Sequence, residues 1–350
     1  SVFGRGAWLI ACASVALAVG LTDRRFVDRG QLSAAAAPQA QASAGRPLRL
    51  LFLGHEQRTH NSHTMFPLLA TVLARKGIEL THVNTPAEAL VPEKLAYYDG
   101  IVIYGNHLTN TPAEDKALVD FVEGGKALVA IHSASYMFLK SPTYIPMVGG
   151  QFLRHGTGDF SAEIVQPNHP AMQGVSSFTT WDETYVHTRH NPVDRTVLME
   201  RVDAEGREPY TWVRTQGRGR VFYTAFGHDE RTWRNPGFHT LVEAGIKWAV
   251  PDDARQAFAA LRMPEVQYVD GFNVPNYEQR NPAPKYQMPF STTDAARFIH
   301  APAEFDVTLF ASEPDIVKPI AINFDERGRM WVIEAVDYPN VVLRGQAGSD

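Results

Sequence analysis

Four histidines each close an apolar run of this chain: His55 after LLFLG, His107 after IVIYGN, His132 after ALVAI and His228 after VFYTAFG. Neutral imidazole ligates zinc, copper, iron or nickel, and it also moves protons near neutral pH. If the four runs are strands of an open α/β sheet, their carboxyl ends form the crevice in which ligands bind, and the imidazoles converge there. A single histidine at a strand end can equally cap a loop or bond a backbone carbonyl, so the functional reading rests on the convergence. The chain holds thirteen histidines, twelve of them between residues 46 and 250.

No local spacing fixes a metal. The stretch HEQRTH, residues 55–60, is one residue too long for the HExxH pattern that puts two histidines on one helical face. His60 and His63 could share a face at a helix start, where solvated side chains are also ordinary. The stretch WDETYVHTRH, 181–190, brings carboxylates, aromatics and histidines together. On a strand Asp182 and Glu183 point to opposite faces, so one of them enters a shared site, and Glu183 is favoured. FGHDERTW, 226–233, adds Asp229, Arg231 and Trp233 beside His228. With Trp181 and His55 these residues suit a polyhydroxylated ligand such as a sugar, because rings cover the apolar face of a pyranose while charged groups bond its hydroxyls. A surface ion network over a core tryptophan is the alternative.

Other chemistries are excluded or weak. Cys12 is the only cysteine and lies in a segment read as a leader, which leaves no disulfide, thiolate ligand or cysteine nucleophile in the folded region. Ser133 lacks the flanking glycines of a G-x-S-x-G elbow. GTGDFS, 156–161, and GGKAL, 124–128, are incomplete as phosphate-binding loops, so no nucleotide cofactor is expected. A net charge of −5 without a basic block argues against nucleic acid as a partner.

The elements that must position these residues alternate. PLRLLFLG, IELTHV, DGIVIYG and KALVAI read as buried strands, and 64–77 as a helix ending at Gly77. TPAE at 111–114 is a capping box with Pro112 at the first helical position. From about 160 to 226 the pattern is β-rich, with QGRG as a hairpin turn, and a helix closes the unit near 250. The fold class is therefore α/β, a mostly parallel sheet with helices on both faces. Residues 251–303 carry seven prolines and read as an extended linker. Beyond it, FDVTLFA reads as a strand and IAINFDERGRMWVIEA as a hairpin, too little to bury its own face, so residues 304–350 are expected to open a longer domain.

The N-terminal residues 1–45 read as leader and linker. An apolar core from Ala7 to Leu21 between basic residues fits a secretory signal or anchor, followed by the tract SAAAAPQAQASA. A disordered tail and a lipoprotein signal acylated at Cys12 are the alternatives. The protein is expected to be extracytoplasmic.

Residues 48–250 closely resemble the ThuA-like, trehalose-utilisation family, most specifically in YDGIVIYGNH, GGQFLRHGTGDF, HPAMQG, WDETYVHTRHN, REPYTWVRTQGRGRVFYTAFGHDERTW and NPGF. The form is that of large secreted proteins of Planctomycetes-like bacteria. The resemblance implies a fold similar to flavodoxin and class I glutamine amidotransferases. In those enzymes the turn after this strand carries the catalytic cysteine; His132 in its place implies that glutamine hydrolysis is lost. The tail FDVTLFASEPDIVKPIAINFDERGRMWVIEAVDYPN resembles the opening of the sugar-dehydrogenase-type β-propeller such proteins often carry. No C-x-x-C-H haem motif is present.

The expectation is an extracytoplasmic carbohydrate-processing protein whose 46–250 domain takes a sugar or keto-sugar, with a divalent metal such as zinc, beside a propeller that oxidises. His132 and His228 would be metal ligands or acid/base groups, Glu183 a general base or third ligand, and His107 an orienting group. A non-catalytic glycan-binding module and a structural spacer are the rivals.

Overall fold

The computed structural model describes residues 45–271 and 273–336, which divide into two compact units. The first comprises residues up to Arg262 with Pro302–Glu304, and the second the remaining C-terminal residues. The stretch expected to be a leader and the last residues of the tail lie outside the described residues. Among the described residues no helix is long and apolar enough to cross a membrane.

The first unit is built on a nine-stranded sheet. Strands β1 (Leu48–Leu53), β2 (Ile78–Val83), β3 (Gly100–Ile103), β4 (Ala127–Ile131) and β9 (Gly219–Thr224) run parallel in the order β2-β1-β3-β4-β9. Every residue of GIVI and ALVAI is buried, as unbroken apolar runs require when both faces of a sheet are covered. The cover comes from α1 (Ser62–Ala74), the one-turn helices α2 (Pro86–Ala89) and α3 (Pro92–Leu95), α4 (Pro112–Glu123), the short α5 (Tyr144–Val148) and α6 (Glu230–Trp233), α7 (Pro236–Ala249) and α8 (Asp252–Ala260). The capping box forms at Thr111 and Glu114. This strand order is the flavodoxin-like one, whose crevice opens at the carboxyl ends of the strands.

Beyond β9 the sheet continues antiparallel through β8 (Gly206–Gln216), β7 (Arg195–Asp203), β5 (Gln151–Ile164) and β6 (Thr179–Thr188). β5 is longer than its sequence suggests. The β-rich pattern was expected only from about residue 160, yet Gln151 to Ser161 pairs along β6 before Ala162 to Ile164 passes to β7. Its glycines and polar residues hide the strand from periodicity; the long ladder to β6 holds it extended.

Two further expectations change. The stretch from 251 begins not as extended chain but as α8, whose Ala254 is buried, with Asp252 bound by Arg220 at 2.7 Å. FDVTLFA forms no strand: no neighbouring chain pairs with its backbone among the described residues, and Phe305, Leu309 and Phe310 stand exposed.

The second unit, described by itself, contains the two-residue pair β10 (Tyr268–Val269) and β11 (Tyr286–Gln287), the short helix α9 (Thr292–Ala296), and the hairpin β12 (Pro319–Phe324) with β13 (Met330–Glu334) around DERG.

Candidate metal centre

At the end of β4 the chain turns sharply into a 3-10 segment, His132–Tyr136, and His132 adopts φ 49°, a left-handed conformation uncommon for a residue with a Cβ. Three bonds hold the turn. The His132 carbonyl accepts from Ser135 Oγ at 3.0 Å and from Tyr223 Oη at 3.1 Å, and Nδ1–H donates to the Ala225 carbonyl at 2.7 Å. A carbonyl can only accept, so Nδ1 carries a proton, and in the neutral form of the ring Nε2 presents a lone pair. The ring is fully buried and stacks on Tyr185 at 4.0 Å.

That lone pair has no hydrogen-bond partner, yet Glu183 Oε2 lies 3.3 Å away. Two acceptors face each other in a dry site unless a proton or a cation lies between them. Burial alone would push the Glu183 carboxyl up, but the His132, His228 and His155 side chains around it outweigh burial and hold it below its ordinary value.

Two more histidines complete the group. His228 Nδ1 is 3.3 Å from Glu183 Oε1 and 3.4 Å from His60 Nε2. Burial, with the neighbouring His132 and His228 adding to it, lowers His60 to about 2, so its ring is neutral. Burial likewise lowers His228, His132 adding and Glu183 opposing. One ligand atom from each of His60, His132, Glu183 and His228 lies within 4.8 Å of the others, and the group could hold a metal ion. Metal–nitrogen and metal–oxygen bonds of about 2.0–2.1 Å give a tetrahedron with edges of about 3.3–3.4 Å. The His132–Glu183, His228–Glu183 and His228–His60 separations of 3.3, 3.3 and 3.4 Å equal such edges, the first two on different Glu183 oxygens, and the remaining pairs lie within 4.8 Å. His155 borders the group: its half-exposed ring reaches within 3.5 Å of Glu183 Oε1 from β5.

The residues singled out from sequence are placed as follows. His132, Glu183 and His228 come together. His55 and His107 stack on each other at 3.8 Å outside this group; His107 Nε2–H donates to the Gly54 carbonyl at 2.9 Å and His55 Nδ1 pairs with Asn106 at 3.0 Å. Both rings thereby tie the loops after β1 and β3, and His107 orients Gly54 and His55 rather than His132. Trp181 lies under the Arg231 guanidinium at 4.1 Å, and Arg231 is bonded to Asp229 at 2.6 and 3.0 Å. Trp233 is a core side chain, fully buried, donating Nε1–H to the Gly227 carbonyl at 2.8 Å and packed on Tyr104; burial denies it a ligand.

Three participants were given no role from sequence, although His60 was weighed at a helix start and Asp182 as the alternative to Glu183. His60 sits not on α1 but just before its N-cap Asn61, folded into the crevice. His155 lies on the unrecognised half of β5. Asp182 turns away from Glu183 toward the loop carrying His228. The signal for His60 was its position in the loop after β1, where strand-end residues gather.

Residues 49–249 match the ThuA family, described as trehalose utilisation, and residues 291–349 match DUF7133, a domain of unknown function. No curated protein matches the chain. Among solved structures, a thua-like protein from Parabacteroides merdae ATCC 43184 is similar at 19% identity and a TM-score of 0.51, over 58% of this chain and 90% of that one. A second, from Bacteroides uniformis ATCC 8492, is similar at 22% identity and a TM-score of 0.49, over 61% and 95%. The likeness to the first supports the α/β fold, and the family match covers more than half of the chain: it belongs to the ThuA, trehalose-utilisation, family.

Proposed function

We propose that the first unit is a metal-dependent carbohydrate site. His60, His132, Glu183 and His228 would hold one divalent ion, zinc or similar, that polarises a carbonyl or hydroxyl oxygen of a sugar or keto-sugar. The observation that carries this reading is the buried, partnerless Nε2 of His132 facing a carboxylate at 3.3 Å. His155, beside Glu183 and open to solvent, takes or returns the proton. Trp181 lies under the Arg231 guanidinium that Asp229 holds, and a pyranose ring would pack beside this stack with its hydroxyls on the charged groups. His55 and His107 shape the neighbouring wall.

The protein is further proposed to be extracytoplasmic and to work beside a β-propeller of sugar-dehydrogenase type formed by its C-terminal region. The apolar N-terminal stretch supports the first statement. The hairpin of β12 and β13, with Phe324, Trp331 and Ile333 exposed, supports the second. A sugar is the expected ligand and nucleic acid is not.

The test is elemental analysis of the whole chain, purified without a histidine tag, for wild type, His132→Ala and His228→Ala. About one equivalent of metal in wild type and its loss in both variants is expected. A wild type that takes up no ion when supplied with zinc or manganese would overturn the metal reading and leave a glycan-binding module or a spacer.

A further inference from the structure

Asp182 has no exposed surface, and among the described residues no Lys, Arg or His forms an ion pair with it. Its charge is met entirely by hydrogen bonds. Oδ1 accepts from the backbone N–H of Glu183 at 3.0 Å, of His228 at 2.9 Å and of Asp229 at 3.1 Å. Oδ2 accepts from Gly227 N–H at 2.7 Å and from Thr232 Oγ1 at 2.9 Å. One carboxylate oxygen therefore fastens the backbones of two members of the candidate metal group, which come from different elements: Glu183 from β6 and His228 from the loop between β9 and α6.

We infer that Asp182 is a positioning residue that sets the affinity of the metal centre, acting through the backbones of Glu183 and His228. The inference rests on the metal reading above. Two physical effects act together. Three of the five donors, the N–H groups of Gly227, His228 and Asp229, converge on the one buried carboxylate and wind residues 227–229 into a single conformation, so the His228 ring needs little reorganisation to bind. The charge count also closes: a divalent ion with three neutral imidazoles and Glu183 carries one net positive charge, which the Asp182 anion balances in a site with little water. Outer groups of this kind fix ligand direction and typically change metal affinity by about 10–100-fold when removed.

Asp182→Asn keeps the size of the side chain but turns one acceptor into a donor facing backbone N–H groups. Zinc titration of the whole chain against a competing chelator should show a Kd raised on the order of 10–100-fold, with a cobalt(II) absorption spectrum altered from that of wild type. Thr232→Val, which removes one of the five bonds, should raise the Kd less, and it serves as the test should Asp182→Asn not fold. Glu243→Gln, on α7 and away from the centre, controls for stability alone: it should melt earlier with an unchanged zinc Kd. An unchanged Kd and cobalt spectrum in folded Asp182→Asn, or an unchanged Kd in Thr232→Val where Asp182→Asn does not fold, would overturn the inference and leave the metal reading standing. A wild type that binds neither ion would overturn both.

Discussion

His132 holds its ring over Glu183 from a backbone conformation that costs on the order of 1–3 kcal/mol for a residue with a side chain. The cost is offset by the Ser135, Tyr223 and Ala225 bonds that fix the turn. The sharp turn after β4 stands one side chain at the crevice, and here that side chain is an imidazole. The turn opposite it depends on Gly227, at φ 129°, a region glycine alone adopts readily. A Cβ there would fall 2.9 Å from Ile131 Cγ2 and 3.3 Å from His132 Cβ. Gly227→Ala should therefore destabilise the chain by roughly 1–3 kcal/mol, read from the denaturant midpoint, and it should lower metal uptake because His228 is the next residue. A midpoint equal to wild type would mean that the loop relaxes without strain.

Between elements, the clearest electrostatic tie joins α7 to the end of α1. Glu243 is bonded by Lys247 at 2.6 Å and by Lys76. Burial pushes its carboxyl up, but the two ammonium groups win and hold it below the ordinary value near 4.5. The unfolded chain therefore takes up the proton more readily than the folded one. The stabilisation is complete above the ordinary carboxyl range and is lost as pH falls through the lowered value. Glu243→Gln should cost about 1 kcal/mol at neutral pH, since both lysines are partly exposed, and the gap to wild type should close on acidification. A constant gap across that range would show that the charge is not responsible. The helix and strand elements that meet here are those the sequence displays well, because unbroken apolar runs and a capping box have a direct physical cause. β5 was half hidden: Gly156, Gly158 and exposed polar residues carry no alternation, and the strand exists through its pairing with β6, which local sequence cannot show. The candidate site divides the same way. Histidines at strand ends are visible in one dimension. His60 is not, because its loop folds back before α1, nor is His155, because its strand is not visible. Asp182 and Glu183 alternate along β6 and turn to different neighbours, but that one clasps a distant loop appears only when that loop is in place.

At the scale of the whole molecule, the candidate metal centre lies within the first unit. His60, His132, Glu183 and His228 come from the loop before α1, the turn after β4, β6 and the loop after β9, all before Arg262. That unit also recovers a short later piece of chain: Tyr98 Oη donates to Glu304 at 2.7 Å and accepts from the Ala303 N–H at 3.3 Å, with Ala303 buried. Residues 263–301 leave the unit between these points, and the described residues among them contain little regular structure beyond β10, β11 and α9. A chain segment with few backbone bonds of its own opens at low free energy and is cut first by proteases. Brief proteolysis of the metal-loaded chain should therefore cleave within 263–301 and leave a fragment ending near Arg262 that melts cooperatively and keeps its ion. The sheet, its helices and all four members of the metal group are on that fragment. Release of the metal on this cut, with the fragment still folded, would mean that the centre needs residues beyond Arg262.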